Sequence, residues 1–284
     1  MLDEHINNPK SIKYYVNQYL QSIKTELVAK IIVDAPAGTG ATSEILKNLG
    51  AEVRPFDLFP EYFMLKGVQC ERANIADNIP LDDKTADMLI CQEGIEHFSD
   101  QLKAFKEFNR VLKQGGRLLI TTPSYSNLAA KLSYLLFESE TNNNMPPNEI
   151  DDVWMSDKAI SNEIYHGHIF LVGLQKLRII AKLAGFKIHE IKYVRLSKGS
   201  LILLPFVYPF IVLNSLRTYY RNINKDKGLS KGHKLAVYQE QLLMNINPKH
   251  LINKHTFVIF EKEDELQALD FRNEKIVKGF DGRT

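Results

Sequence analysis

The sequence predicts an α/β protein with a doubly wound, mostly parallel seven-stranded sheet. Short aliphatic runs alternate with helical patterns from about residue 30 to residue 194. Strand–helix–strand alternation at this spacing favours parallel strands joined by helices. A further aliphatic run near residue 257 supplies the last strand. These observations place the chain in the class of proteins that have helices on both faces of a sheet.

The predicted elements follow the chain in order. An amphipathic helix covers residues 9–27. Strands are predicted at 31–35, 52–56, 68–73, 87–91, 117–122, 186–194 and 255–260, with helices at 41–49, 99–113 and 173–184. Gly115 and Gly116 are expected to end the helix at 99–113, because glycine commonly terminates helices.

One domain is predicted over residues 1–284. Its core covers 30–195 and 254–263, and it is interrupted by a substrate-side insertion at 125–166 and by an apolar and basic insertion at 196–253. Long connections in a compact domain are usually lids, binding loops or disordered segments. Neither insertion has the composition expected of an independent domain.

Composition and charge indicate a soluble protein of the cytoplasm. The chain has 284 residues, of which 44% are hydrophobic and 25% charged, as is ordinary for a globular protein. A net charge of +2 does not by itself indicate nucleic acid. Cys70 and Cys91 lack the paired spacing of a metal site, and no secretory signal precedes Asn7. We therefore expect a reducing, cytoplasmic location.

An acidic residue and a small-residue loop follow the first strand. Asp34 enters the loop Ala35-Pro36-Ala37-Gly38-Thr39-Gly40, and Asp57 lies about 20 residues beyond it. A carboxylate beside such a loop repels a pyrophosphate but suits a cationic ligand. S-adenosylmethionine carries a sulfonium and an ammonium and no phosphate. The pattern therefore points to methyl transfer.

Taken in order, these residues resemble the class I S-adenosylmethionine-dependent methyltransferases, in the branch of small-molecule and quinone-biosynthesis enzymes. The resemblance covers about residues 30–191 and the strand near Phe257, and the match is closest over 105–123. It implies a Rossmann-like methyltransferase fold with S-adenosylmethionine as cofactor. Pro36 and Ala37 replace the first glycine of the family pattern and its neighbour.

The resemblance also implies the residues that contact the cofactor. Asp57 corresponds to the acid that holds the ribose hydroxyls, and the segment beginning at Asn74 corresponds to the lining of the adenine. The implied contacts are Asp34, Ala35, Pro36, Ala37, Gly38, Gly40, Asp57, Leu58, Asn74, Ile75, Ala76, Gln92 and Glu93.

Three residues are candidates for proton transfer: His97, Glu96 and His168. Methyl transfer mainly requires alignment of the acceptor and sometimes removal of its proton. His97 suits a base, because the ordinary pKa of histidine lies near neutrality. The alternative, that Glu96 and His97 only cap and orient the next helix, stays open. Tyr165, His166 and His168 form a second polar cluster, but no carboxylate or cysteine completes a ligand set, so no metal is expected.

Residues 199–216 are uncharged and precede a cationic run, which consists of Arg217, Arg221, Lys225, Lys227, Lys231 and Lys234. Two prolines are expected to break the segment, which is marginal in length for a membrane span. A kinked segment at a membrane interface, with cations on anionic lipid, fits this composition over 199–234. A buried lid over an apolar acceptor pocket and a dimer face are the alternatives.

The leading hypothesis is an enzyme that uses S-adenosylmethionine to methylate a small or lipid-linked acceptor at oxygen or carbon. It would be cytoplasmic and could sit peripherally on the inner membrane face, and an oligomer stays open. A non-catalytic binding or scaffold protein is the alternative, motivated by Pro36 and Asn74. A nicotinamide dehydrogenase is disfavoured, because Ser43 occupies the third glycine position. Nucleic acid is not expected as a partner, because Gln92-Glu93-Gly94-Ile95 lacks the proline-rich run of adenine methylation.

Overall fold

The structure is a computed structural model that describes residues 4–141, 143–155, 164–225 and 231–264. Its strands are β1 (Ile31–Asp34), β2 (Glu52–Asp57), β3 (Glu71–Arg72), β4 (Ala86–Gln92), β5 (Leu112–Pro123), β6 (Val153–Met155), β7 (Ile164–His166), β8 (Phe186–Ile191) and β9 (His255–Lys262). Its helices are α1 (Ile12–Ser22), α2 (Lys24–Leu27), α3 (Ala41–Asn48), α4 (Gln101–Val111), α5 (Leu128–Phe137), α6 (Leu174–Leu183), α7 (Lys198–Ile223), α8 (Lys231–Ile246) and α9 (Pro248–Ile252). Short 3-10 turns cover Glu4–Asn7, Pro60–Tyr62, Ile95–His97 and His168–Phe170.

Seven strands form one sheet in the order β3-β2-β1-β4-β5-β9-β8. The first five in this order run parallel, whereas β9 is antiparallel to both β5 and β8. The predicted fold class is therefore confirmed. The strand order reverses between β1 and β4, and in open α/β sheets a crevice forms at the carboxyl ends of the strands at that point. The strands β6 and β7 form a separate antiparallel pair.

Helices cover both faces of the sheet because side chains alternate along each strand. Val33 faces the layer of α4 and α6, where Phe105 and Leu177 are fully buried. Ile32, the preceding residue, faces the opposite layer, where α1 and α3 contribute Leu20 and Leu46. Both layers are apolar, and burial of these side chains supplies the main favourable term in folding.

The glycine pair expected to end a helix lies inside a strand instead, so that prediction is wrong. The helix α4 ends at Val111, and β5 begins at once with Leu112. Gly115 has φ +72, and a Cβ on Gly116 would lie 2.8 Å from the carbonyl oxygen of Lys113. The pair is therefore required by a close backbone approach within β5.

The uncharged segment 199–216 lies within one continuous helix, which corrects the prediction that its prolines break it. The helix α7 includes Pro205 and Pro209 in its interior. Each proline leaves the carbonyl four residues earlier without its helical partner; these carbonyls belong to Leu201 and Pro205, which are both exposed, so water can satisfy them. Packing also holds the helix together, because the Tyr208 hydroxyl donates to the carbonyl oxygen of Ile246 at 3.0 Å.

Candidate active site

A cavity of about 980 Å³ lies at the carboxyl ends of β1, β2 and β4. This volume is at the upper end for small-molecule sites, so it has room for a cofactor and a small acceptor. Most of the residues implied as cofactor contacts line it: Asp34, Pro36, Ala37, Gly38, Asp57, Leu58, Asn74, Ile75, Ala76, Gln92 and Glu93. Ala35 and Gly40 belong to the same loop but do not line the cavity.

Glycine is needed at positions 38 and 40 of the loop for different structural reasons. Gly38 has φ +52, and a Cβ built on it meets nothing within 4 Å, so the backbone borders open space. Gly40 has φ +90, and its Cβ would lie 2.8 Å from the ring of Phe63. Gly38 therefore leaves room on the cavity side, whereas Gly40 permits packing inside the protein.

Pro36, which departs from the family pattern, packs against the loop that follows β4. A Cβ on Gly94 would lie 2.5 Å from Pro36 Cδ. The Ala35–Pro36 peptide bond is cis. The proline ring thus occupies the space beside Gly94, and the two loops fit only because residue 94 has no side chain.

Asp57 holds the glycine loop as well as facing the cavity. Its Oδ2 accepts a hydrogen bond from the Gly38 N–H at 2.8 Å, and its Oδ1 accepts one from the Phe59 N–H at 2.9 Å. The carboxylate is buried, with 8% exposure. Each oxygen keeps a second lone pair, so the same group can also accept from a ligand hydroxyl.

Asp34 is a buried acid at the end of β1. Burial is the main cause that raises its pKa to about 7; a hydrogen bond from the Ser43 hydroxyl lowers the pKa, and the charge of Asp57 raises it. That hydrogen bond is 2.6 Å long. Near neutral pH the group is therefore divided between its protonated and charged forms, and a nearby cation would favour the charged form.

The end of β4 presents polar side chains to the same cavity. The Thr42 hydroxyl donates to Gln92 Oε1 at 3.0 Å. Glu93 has φ +48, in the left-handed region that non-glycine residues rarely adopt, and its N–H donates to the carbonyl oxygen of Thr121 at 3.0 Å. Its Oε1 is buried and meets no donor among the residues that the structure describes. Such strain and an unpaired acceptor are typical of functional positions.

His97 lines the cavity in a neutral form suited to a base. Burial lowers its pKa below the usual range of histidine. Its Nδ1 lies 2.6 Å from the carbonyl oxygen of His166, which can only accept, so Nδ1 carries the proton and donates it. The lone pair of the neutral ring is then on Nε2.

Glu96 lies behind the cavity and does not line it. Its side chain is fully buried, and burial together with the charge of Glu93 raises its pKa to about 8. The interpretation that Glu96 and His97 cap the next helix is wrong, because Asp100 caps α4 by accepting from the Lys103 N–H at 2.9 Å.

His168 is brought beside His97, although it does not line the cavity. The two imidazole rings lie 5.3 Å apart. A hydrogen bond with Glu140 raises the pKa of His168, and its Nδ1 lies 3.1 Å from Glu140 Oε2. Glu140 was not singled out from the sequence, and the side chain of Tyr165 lies outside the described residues.

The fold brings the carboxylate of Glu96 beside His168, which lacked a carboxylate partner in the sequence cluster. Ligand atoms of Glu96, His97 and His168 lie within 4.8 Å of one another. One carboxylate and two imidazoles are donors that suit a divalent transition metal. The expectation of no metal stays a prediction, but its original reason, the missing carboxylate, no longer holds.

Several cavity residues were missed by the sequence reasoning. Aromatic and basic side chains from separate elements complete the wall: Lys13, Phe59, Tyr62, Phe98 and Lys103. Lys13 comes from the N-terminal helix α1. No local pattern marks these positions, because only the tertiary arrangement brings them to the cavity.

Comparisons with known proteins agree with this geometry. Residues 33–120 match the model of a family described as a methyltransferase domain. A demethylmenaquinone methyltransferase from Chlorobaculum tepidum is 34% identical over 114 residues, which are 37% of this chain and 46% of that protein. A ubiquinone biosynthesis O-methyltransferase from Xanthomonas euvesicatoria is 28% identical over 127 residues, 42% of this chain and 51% of that protein.

The matched segment spans about half the length of these curated relatives. Among solved structures, a SAM dependent methyltransferase from Archaeoglobus fulgidus superposes with a TM-score of 0.51 at 14% identity. The superposition covers 92% of this chain and 100% of that chain. At this identity it shows the fold alone.

Proposed function

We propose that the chain transfers a methyl group from S-adenosylmethionine to a small-molecule acceptor, and its residues 33–120 match a family model described as a methyltransferase domain. One observation carries the proposal. The cavity has a carboxylate at the end of β1 and another at the end of β2, on either side of a glycine backbone that faces open space. The two insertions are proposed to belong to the same domain, 1–284.

The residues of the cavity fit S-adenosylmethionine. Asp57 would accept from the ribose hydroxyls through its remaining lone pairs, and Asp34 would meet the cationic end of the ligand. Ile75 and Ala76 would pack against the adenine. The open space beside Gly38 leaves room for the ligand to approach the backbone. When bound, S-adenosylmethionine supplies an electrophilic methyl group on a positively charged sulfur.

His97 is proposed as the base that accepts a proton from the acceptor through Nε2. Its Nδ1 hydrogen bond fixes the ring, and its lowered pKa keeps it neutral. His168 would act through its charge, which lowers the pKa of His97, and Glu96 would act as a buried and largely protonated acid, because neither residue lines the cavity. Alignment of the acceptor supplies the rest of the rate enhancement, because the reaction is an in-line displacement.

The acceptor is proposed to be lipid-linked and methylated at oxygen or carbon. The names of the two curated relatives refer to menaquinone and ubiquinone biosynthesis, which supports a small, apolar acceptor. The exposed apolar face of α7 supports a peripheral location at the cytoplasmic side of the inner membrane. An oligomer in which α7 meets a second copy is the competing arrangement.

Calorimetry with S-adenosylhomocysteine and the full chain tests the cofactor proposal. We expect saturable binding to the wild-type protein and loss of binding in Asp57→Ala. Transfer of radiolabel from S-adenosylmethionine into a lipid extract then tests the activity. Absence of binding at high micromolar protein would overturn the proposal, and binding without transfer to any acceptor would favour the scaffold alternative, which the comparisons do not support.

A further inference from the structure

The helix α7 exposes a long apolar stripe. Its members recur every three or four residues, which places them on one side of the helix: Ile202, Phe206, Phe210 and Leu213, with exposures of 63–71%. Within the described residues α7 is the one helix long and apolar enough to cross a membrane. No residue of α7 lines the cavity, so a lid over the acceptor is not what the described structure shows.

The stripe continues into a cationic end. Arg217 and Arg221 follow on the same side of the helix, with exposed Tyr220 between them and Lys225 just beyond. The helix contains no acidic residue. This order of apolar, aromatic and basic side chains matches the depth profile of an anionic bilayer surface.

Tethers hold α7 against the domain along its length. The Ser200 hydroxyl donates to Asn127 Oδ1 at 3.0 Å, and the Asn245 side chain donates to Ser215 Oγ at 2.6 Å. Tyr208 bonds the end of α8 between these points. A helix held in this way cannot be surrounded by lipid.

We propose that α7 lies along the surface of an anionic bilayer and docks the protein there through its exposed stripe. A symmetric self-contact of α7 is disfavoured, because Arg217 and Arg221 would meet no acidic side chain on the facing copy of the helix. The basic end instead complements a negatively charged lipid surface.

The docking surface adjoins the acceptor side of the candidate site. The first turn of α5 contacts that of α7, since a Cβ on Gly199 would lie 3.4 Å from Ala129 Cβ. The far end of α5 exposes Leu135, Leu136 and Phe137. Three residues later, Glu140 bonds His168 beside His97. That an acceptor would enter from the bilayer rests on the proposed function, whereas docking does not.

Vesicle flotation with the full chain tests the docking. The wild-type protein should float with vesicles of phosphatidylcholine and phosphatidylglycerol. It should not float with vesicles of phosphatidylcholine alone. Phe206→Asp should lower the partition coefficient about tenfold or more, given the apolar area withdrawn from lipid. Arg217→Gln/Arg221→Gln should lower it roughly 30-fold, with two basic residues removed from the surface.

Val28→Asp is the matched control, because Val28 is 58% exposed and lies just before β1, outside α7 and its stripe. It should float as the wild type does. Failure of the wild-type protein to float would overturn the docking, as would equal losses in Phe206→Asp and Val28→Asp. Sedimentation that shows a dimer broken by Phe206→Asp would assign the stripe to a second copy instead.

Calorimetry with S-adenosylhomocysteine on the same samples separates the two proposals. Flotation without ligand binding would leave docking in place and remove the proposed function. Ligand binding without flotation would leave the proposed function in place and remove the docking. Retained binding in Phe206→Asp also shows that the variant is folded.

Discussion

Asp57 should be needed for the stability of the unliganded protein as well as for cofactor binding. Its two oxygens accept from the backbone N–H groups of Gly38 and Phe59 at 2.8 and 2.9 Å. An asparagine has one acceptor oxygen, so in either orientation its amide N–H₂ must face one of these donors. A substitution that is usually conservative is therefore expected to be costly here.

The magnitude follows from the hydrogen bonds lost. A hydrogen bond to a charged group contributes roughly 1.5–3 kcal/mol. Asp57→Asn loses one such bond, so the free energy of unfolding should fall by about 2 kcal/mol, which lowers Tm by roughly 4–8 °C. Asp57→Ala loses both bonds and should be less stable still. Urea denaturation of the unliganded proteins measures these differences.

Asp77→Asn serves as the control, because Asp77 also lines the cavity but is exposed and pairs with Lys103 on the surface. Exposed ion pairs contribute about 0–1 kcal/mol. If Asp57→Asn unfolds at the same urea concentration as the wild type while losing S-adenosylhomocysteine binding, Asp57 acts on the ligand alone. The reasoning about the loop would then be refuted.

Three further predictions concern the same cavity. Because the pKa of Asp34 is about 7, affinity for S-adenosylmethionine should rise about tenfold from pH 6 to pH 8 as the acid ionises, whereas Asp34→Asn should bind more weakly with no such rise in calorimetry. His97→Gln should lower kcat about 10²–10⁴-fold with little change in the KM for S-adenosylmethionine, and unchanged kcat would show that no proton is removed there. Gly94→Ala should push Pro36 out of place and lower the free energy of unfolding by roughly 1–3 kcal/mol, whereas Gly232→Ala, whose Cβ meets nothing within 4 Å, should not destabilise the protein.

The sheet and the cofactor side of the cavity could be predicted from the sequence because their signals are local. Each strand is a short aliphatic run, and Asp34, Gly38 and Asp57 lie at strand ends or in the loop between them. Carboxyl ends of parallel strands meet at one edge, so the sequence positions also fix the spatial grouping. The predicted end of α4 was wrong, because Gly115 and Gly116 allow a close approach of the backbone within β5, which no local sequence pattern reveals.

The acceptor side could not be predicted, because it depends on contacts between distant segments. Glu140 and His168 are separated by the second strand pair, and their hydrogen bond exists only after both segments fold beside His97. The continuity of α7 through Pro205 and Pro209 has the same origin. Proline disfavours a helix interior by about 3 kcal/mol, and tertiary contacts such as that of Tyr208 with Ile246 offset the penalty.

The buried acids at and behind the cavity should favour a cationic ligand over one that carries phosphates. In the unliganded protein the pKa of Asp34 is raised from 3.8 to about 7, so the native state binds a proton that the unfolded state releases. The stabilisation from this group is complete below about pH 4 and is lost as the pH rises through about 7. Glu96, with a pKa of about 8, acts in the same direction. A sulfonium or an ammonium beside Asp34 reverses this balance by favouring the charged carboxylate, whereas a pyrophosphate would meet Asp34 and Glu93 as like charges. The same negative potential that destabilises the empty cavity at neutral pH therefore selects the charge of its ligand.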